Sequence, residues 1–93
     1  MQIAALRLEL RIKDCKNPRV KRRRIRLILI KLRKHFNVSV AEIDRHEHPS
    51  ETVLAVAAVA ESRRDVRELL GRVADVLAMH PRAELLAQAL IEV

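Results

Sequence analysis

The sequence predicts an α+β fold, a ferredoxin-like plait in which a four-stranded antiparallel sheet carries two helices on one face, over a single domain spanning residues 1–93. Three observations carry that prediction. The N-terminal stretch alternates apolar and polar residues, two later stretches repeat apolar residues at helical spacing, and strand and helix patterns follow one another in the order βαββαβ. A chain of 93 residues builds one modest core and leaves no room for two lobes with a cleft between them. At 33% charged and 49% hydrophobic residues the composition is that of a globular chain, since a disordered one falls short of apolar residues.

In IAALRLELRI, residues 3–12, Ala4, Leu6, Leu8, Leu10 and Ile12 fall on one face, and Ile3, Ala5, Arg7, Glu9 and Arg11 on the other. This is a strand with one face buried. The turn residues of KDCKNP follow, with Asn17 as helix N-cap and Pro18 at the first helical position. The helix should run to about Phe36 and lay Ile25, Ile28, Leu29, Leu32 and Phe36 on the sheet as one stripe. NVSVAEID reads as a second strand, RHEHPSE as a turn and TVLAVAAVA as a more fully apolar, central strand, the two strands forming a hairpin. Ser62 and Asp65 resemble a capping box, after which Val66, Leu69, Leu70, Val73 and Leu77 repeat at helical spacing until His80-Pro81. In AELLAQALIEV composition favours helix, but Leu85, Ala87, Ala89, Ile91 and Val93 alternate, and the segment is read as the last strand. Right-handed crossovers then give the plait.

Composition narrows the function. Phe36 is the only aromatic residue, so ring stacking is nearly excluded. Cys15 is the only cysteine, which rules out an internal disulfide or a CxxC pair and fits a reducing compartment. No apolar stretch approaches the roughly 20 residues of a membrane span, and an N-terminus charged at Arg7 and Glu9 lacks the apolar run of a signal peptide. A cytoplasmic protein with no membrane partner is expected. The net charge of +7 is unevenly placed, because residues 1–36 hold 13 Lys and Arg against Glu9 and Asp14 while residues 37–93 hold 6 against 10 acids. Such a field attracts phosphate polymers or anionic membranes.

The cations concentrate on the first helix. Between Pro18 and Phe36 stand nine Lys and Arg and no acid. Lys21 lies near the buried stripe and the other eight wrap the exposed side. Several occupy the first two turns, where the helix dipole disfavours positive charge by a few tenths of a kcal/mol to about 1 kcal/mol each. A solvated face is the ordinary reading of helical charge, but selection for stability alone would place acids there. Arg19, Arg22, Arg23, Arg26, Arg33 and Lys34 are therefore the candidate phosphate contacts, with RNA as the expected partner. RNA recognition motifs share the element order, but they stack bases on aromatics of the first and third strands, and here those strands have none. Gly71, the only glycine, lies in a helix pattern, so a GXXG clamp is absent as well. What remains is readout of backbone and shape in structured RNA.

Val20, Leu27 and Ile30 fall on the outer side of the same helix and are candidate protein contacts, for a homodimer or another partner. A basic amphipathic helix also suits an anionic membrane, but its main apolar stripe is committed to the sheet and no Trp or Tyr anchors it. Asp44, His46, Glu47 and His48 in DRHEH have metal-ligand chemistry, but they lack the four-ligand spacing of a structural site and read as a polar hairpin loop. His80 reads as a helix C-terminal residue favourable to the dipole when protonated. Glu42 and Asp44 alternate on one side of the second strand, where such carboxylates more often meet solvent or Arg than act as an acid/base pair. The turn KDCKNPR has neither the glycines of a phosphate loop nor a second cysteine. No catalytic residue, metal, cofactor or small-molecule substrate is assigned.

RLELRI, KRRRIRLILIKLRKHFNVSVAEID, TVLAVAAVAESR and the HP before the last strand together resemble the YlxP-like family, small bacterial proteins of unknown function with a ferredoxin-like fold. The similarity covers nearly the whole chain, and FNVSVAE is its most specific piece. It implies a cytosolic protein, often encoded beside translation and ribosome-maturation factors such as ribosome-binding factor A. Two departures stand out. Of the family's Ser-Leu-Lys-Glu-Lys-Arg entry to the first helix only Lys21 and Arg22 are kept, and the hairpin loop lacks the Trp that members often carry. The expectation is a non-enzymatic RNA- or ribosome-associated protein, and the alternative a protein-interaction or homodimerisation module.

Overall fold

The computed structural model describes residues 1–92; Val93, assigned above to the alternation of the last strand, lies outside the described residues. The chain runs β1 (Gln2–Ile12), α1 (Pro18–His35), β2 (Ser39–Asp44), β3 (Glu51–Ala60), α2 (Arg63–Ala78) and β4 (Ala83–Glu92). The strands form one antiparallel sheet in the order β2-β3-β1-β4, which is the predicted plait.

Local signals set the element ends. Asn17 caps α1, its Oδ1 accepting from the Arg19 N–H at 2.8 Å, and Pro18 begins the helix. Phe36 leaves helical geometry as the C-cap. Ser62 Oγ accepts from the Asp65 N–H at 3.1 Å, which supplies one arm of the predicted box on α2. The core lies between sheet and helices. Ala4, Leu6, Leu8, Leu10 and Ile12 of β1 are all buried there, against Ile25, Ile28 and Leu32 of α1 and Val66, Leu70, Val73 and Leu77 of α2. β3, central between β2 and β1, is buried on most of its length as its apolar run predicts.

Two bulges change which residues share a face. In β4 the register moves from Leu10↔Leu85 to Glu9↔Ala87, so Leu86 is an extra residue. Leu85 therefore sits beside core-facing Leu10, whereas Ala87, Ala89 and Ile91 pair with Glu9, Arg7 and Ala5 on the open face. The alternation used to predict the strand is thus split between two faces. In β2 a second shift falls between Glu42 and Asp44. Glu42 pairs with core-facing Leu54 and Asp44 with Val53, the partner of Glu9 on the open face, so these two carboxylates do not share a side as their spacing predicted.

The open sheet face carries Arg7, Glu9 and Arg11 as expected, and their charges are matched. Arg45 bridges Glu9 at 2.6 Å and Glu51 at 3.2 Å, Arg7 lies 3.2 Å from Glu9, and Arg11 pairs with Glu84 at 2.5 Å. The hydrogen bond from Arg45, with its charge and that of Arg7, outweighs burial and holds the Glu9 carboxyl below its ordinary range.

Candidate functional site

α1 is two-sided. Its inner stripe carries Ile25, Ile28 and Leu32 and, unusually, Lys21. The Lys21 side chain is fully buried, and its Nζ donates to the Arg45 carbonyl at 2.5 Å and the Glu51 carbonyl at 2.9 Å, with the Glu42 carboxylate 3.7 Å away. Glu42 also accepts from Thr52 Oγ1 at 2.5 Å. A buried ammonium without partners would be strongly unfavourable; here every acceptor comes from β2, β3 or the hairpin loop between them. Lys21 is thus a pin joining α1 to both ends of that loop. Its position on the helical wheel beside Ile25 and Ile28 was the available sequence signal for burial, but the partners were not readable.

The outer side is cationic. Arg19, Arg22, Arg23 and Arg26 stand at positions i, i+3, i+4 and i+7 and line a shallow cavity of about 200 Å³ with no other lining residue. Among the described residues no carboxylate lies within ion-pair distance of Arg19, Arg23 or Arg26, and Arg22 reaches only the exposed Glu47 at 3.8 Å. The predicted array is therefore brought together at its N-terminal end. Further along, Arg33 is exposed but donates from one guanidinium nitrogen to the Val40 carbonyl of β2 at 2.9 Å, and Lys34 projects into solvent. Arg24 points elsewhere, donating to the Lys13 carbonyl at 2.8 Å.

Of the three apolar residues assigned to the outer side, Leu27 at 64% and Ile30 at 51% are exposed. Val20 is not; it is half-buried and packs against the core, which corrects its assignment as a protein contact. At the margin of the stripe one helical step decides between inside and outside, and the wheel alone did not resolve it.

Behind α1, Arg24 and Lys31 face His80 and Arg82 across a cavity of about 180 Å³ floored by Ile12 and Ile28. His80 Nδ1 accepts from the Arg82 N–H at 3.0 Å. Burial, with Lys31 and Arg82 close by, pushes this imidazole below its ordinary value of 6.5. That reverses the expectation that His80 serves the helix terminus as a cation. In the hairpin loop His48 Nδ1 accepts from the Ser50 and Glu51 N–H groups, and His46 Nε2 lies 3.2 Å from the Glu42 carbonyl. Both imidazoles are spent on the loop's own geometry, and no cluster of three or more metal-ligating side chains forms among the described residues. Cys15 is buried, its thiol directed at the Asn17 carbonyl. No described helix is long and apolar enough to cross a membrane.

Residues 3–89 match the model of the family described as "Protein of unknown function (DUF503)". No curated protein gives a significant match. The chain belongs to the DUF503 family.

Proposed function

We propose that this member of the family is a non-enzymatic, cytoplasmic module that grips the phosphate backbone of structured RNA, ribosomal RNA foremost, through the outer face of α1. One observation carries the reading: Arg19, Arg22, Arg23 and Arg26 converge on one cavity, and among the described residues only Arg22 has even a marginal internal counter-charge. The guanidinium groups of Arg45, Arg11 and Arg67, by contrast, are held by carboxylates of the fold. Four unconsumed ones on a helix that is anchored from behind by Lys21 form a fixed array with the chemistry of a phosphate clamp. The YlxP-like resemblance, with its translational gene neighbours, supports ribosomal RNA as the source of the phosphates. Without rings to stack on, recognition rests on shape and backbone.

Four phosphate contacts predict a log–log salt dependence of binding with a slope of about −3 to −4. In a titration with structured ribosomal RNA, Arg23→Glu with Arg26→Glu is expected to flatten that slope by about 2 and weaken binding at low salt. Unchanged affinity and slope in the double variant refute the reading.

Leu27 and Ile30, exposed on the same face, favour a second reading in which α1 meets a protein. Binding by that route depends on apolar area and is little affected by salt, and Leu27→Glu abolishes it while the arginine reversals do not.

A further inference from the structure

The two edges of the sheet are treated differently. β2 is six residues long, is bent by a bulge, and has two carbonyls covered: Arg33 donates to that of Val40 and the His46 ring meets that of Glu42. These are ordinary means of blocking an edge. β4 also has a bulge, at Leu86, but it is ten residues long, and among the described residues no side chain bonds to its backbone between Glu84 and Glu92. It holds no Pro, Lys or Arg. Its only charges, Glu84 and Glu92, stand near its ends and are engaged by Arg11 and Arg67 within the same molecule. Leu86 at 39% and Leu90 at 45% exposure lie along it.

The sequence of that edge has a further property. Residues 86–90 read Leu-Ala-Gln-Ala-Leu, a palindrome centred on Gln88. Gln88 and Leu90 pair with core-facing Leu8 and Leu6, and Leu86, two residues before Gln88, is the unpaired residue of the bulge. Ala87 and Ala89 fall on the open face. We propose that β4 is a homodimerisation edge: two copies pair β4 antiparallel about a two-fold axis at Gln88, giving an eight-stranded sheet. Across that axis Leu86 meets Leu90 of the second copy, Ala87 meets Ala89, and Gln88 meets itself, so size and polarity agree at all five positions and face at the three central ones. No uncompensated charge is brought together.

Charge also selects this edge over the exposed apolar residues of α1. A dimer through Leu27 and Ile30 would press two arginine-rich helices against each other. α1 approaches the sheet backbone most closely at β2, the strand farthest from β4. Because Lys21 and Arg33 tie α1 to β3 and β2, pairing through β4 holds the two α1 helices about five to seven strand spacings, or about 24–34 Å, apart. That exceeds the roughly 8–10 Å over which charge is felt in physiological salt. The edge itself is about 17 Å long over five residues, too short to bury the about 800 Å² per partner of a standard interface, so the dimer is expected to form and dissociate with concentration.

A charge swap at the axis tests the pairing, with no RNA present, so that its outcome is separate from that of the RNA reading. Gln88 is exposed, and substitution there leaves the core untouched. Sedimentation equilibrium across a wide concentration range should show a monomer–dimer equilibrium for the native chain. Gln88→Lys and Gln88→Glu, each placing like charges opposite one another, should weaken it by roughly tenfold or more. An equimolar mixture of the two variants should restore dimer. A native chain that stays monomeric at all concentrations, a dimer indifferent to Gln88→Lys, or a mixture that fails to re-associate overturns the assignment.

Discussion

Lys21→Met isolates the contribution of the buried pin. Methionine replaces the aliphatic stem with nearly equal volume, so little cavity is created and the loss is that of the ammonium alone. Removing it leaves the carbonyls of Arg45 and Glu51 without their donor and the Glu42 carboxylate with only Thr52. Hydrogen bonds from a charged donor contribute about 1.5–3 kcal/mol each, and breaking a buried pair costs about 3–5 kcal/mol, so two lines of reasoning converge on a loss of roughly 3–5 kcal/mol. Against a total stability of about 5–15 kcal/mol this is a large fraction, and for a domain of this size it lowers the melting temperature by roughly 12–40 °C. Urea denaturation is the assay, with an unchanged m-value expected because the native chain and the variant expose the same surface on unfolding. Adding Glu42→Gln to Lys21→Met should recover part of the loss by removing the charge left behind. A single variant that loses less than about 1 kcal/mol would refute the argument, since it would mean that water replaces Nζ at these carbonyls without cost.

His80 and Gly71 give two further tests. A histidine whose folded value is depressed binds fewer protons folded than unfolded; its contribution is complete above the unfolded value of about 6.5 and is lost as pH falls through that value towards the lower folded one. Stability measured by thermal melts should therefore decline below about pH 6.5, and His80→Gln should remove that part of the decline; an imidazole titrating at or above 6.5 by NMR would contradict it. Gly71 lies inside α2, exposed, with nothing within 4 Å of where a Cβ would stand. Gly71→Ala should raise stability by about 0.5–1 kcal/mol through helix propensity and the unfolded chain, read as a higher melting temperature, and a decrease would show that the helix surface there is occupied.

The elements were legible because each rests on local chemistry. β1 shows alternation, α1 shows Asn17-Pro18 at its start, and α2 shows Ser62 ahead of a periodic run. What was not legible depends on partners distant in sequence. The bulge at Leu86 is a relation between β4 and β1, and the one near Ile43 a relation between β2 and β3; neither leaves a mark in the strand's own periodicity, and each reverses the facing of every residue beyond it. The acid-free arginine face could be read from the wheel, but that Arg33 would also cover the edge of β2, or that Lys21 would find two carbonyls across the hairpin, required the tertiary arrangement. Val20 was misplaced because burial at the margin of a helical stripe depends on how the helix is rolled against its neighbours.

The same helix sets stability and surface chemistry against each other. Its first turn contains no acid and its outer N-terminal half is almost wholly arginine, an arrangement the dipole opposes. What offsets that opposition lies on other sides of the helix: Asn17 satisfies an end donor, Pro18 fixes the entry, the inner stripe packs on the sheet, and Lys21 ties the second turn to the hairpin. Anchoring from behind leaves the outer face free of any duty to the fold. For that reason Arg23→Glu with Arg26→Glu, the pair used to test RNA binding, should leave the folded state intact or slightly more stable, since it lowers like-charge crowding near a positive helix end. Stability retained in the double variant separates binding from folding, so that loss of RNA binding in a well-folded protein is a statement about the ligand contacts alone.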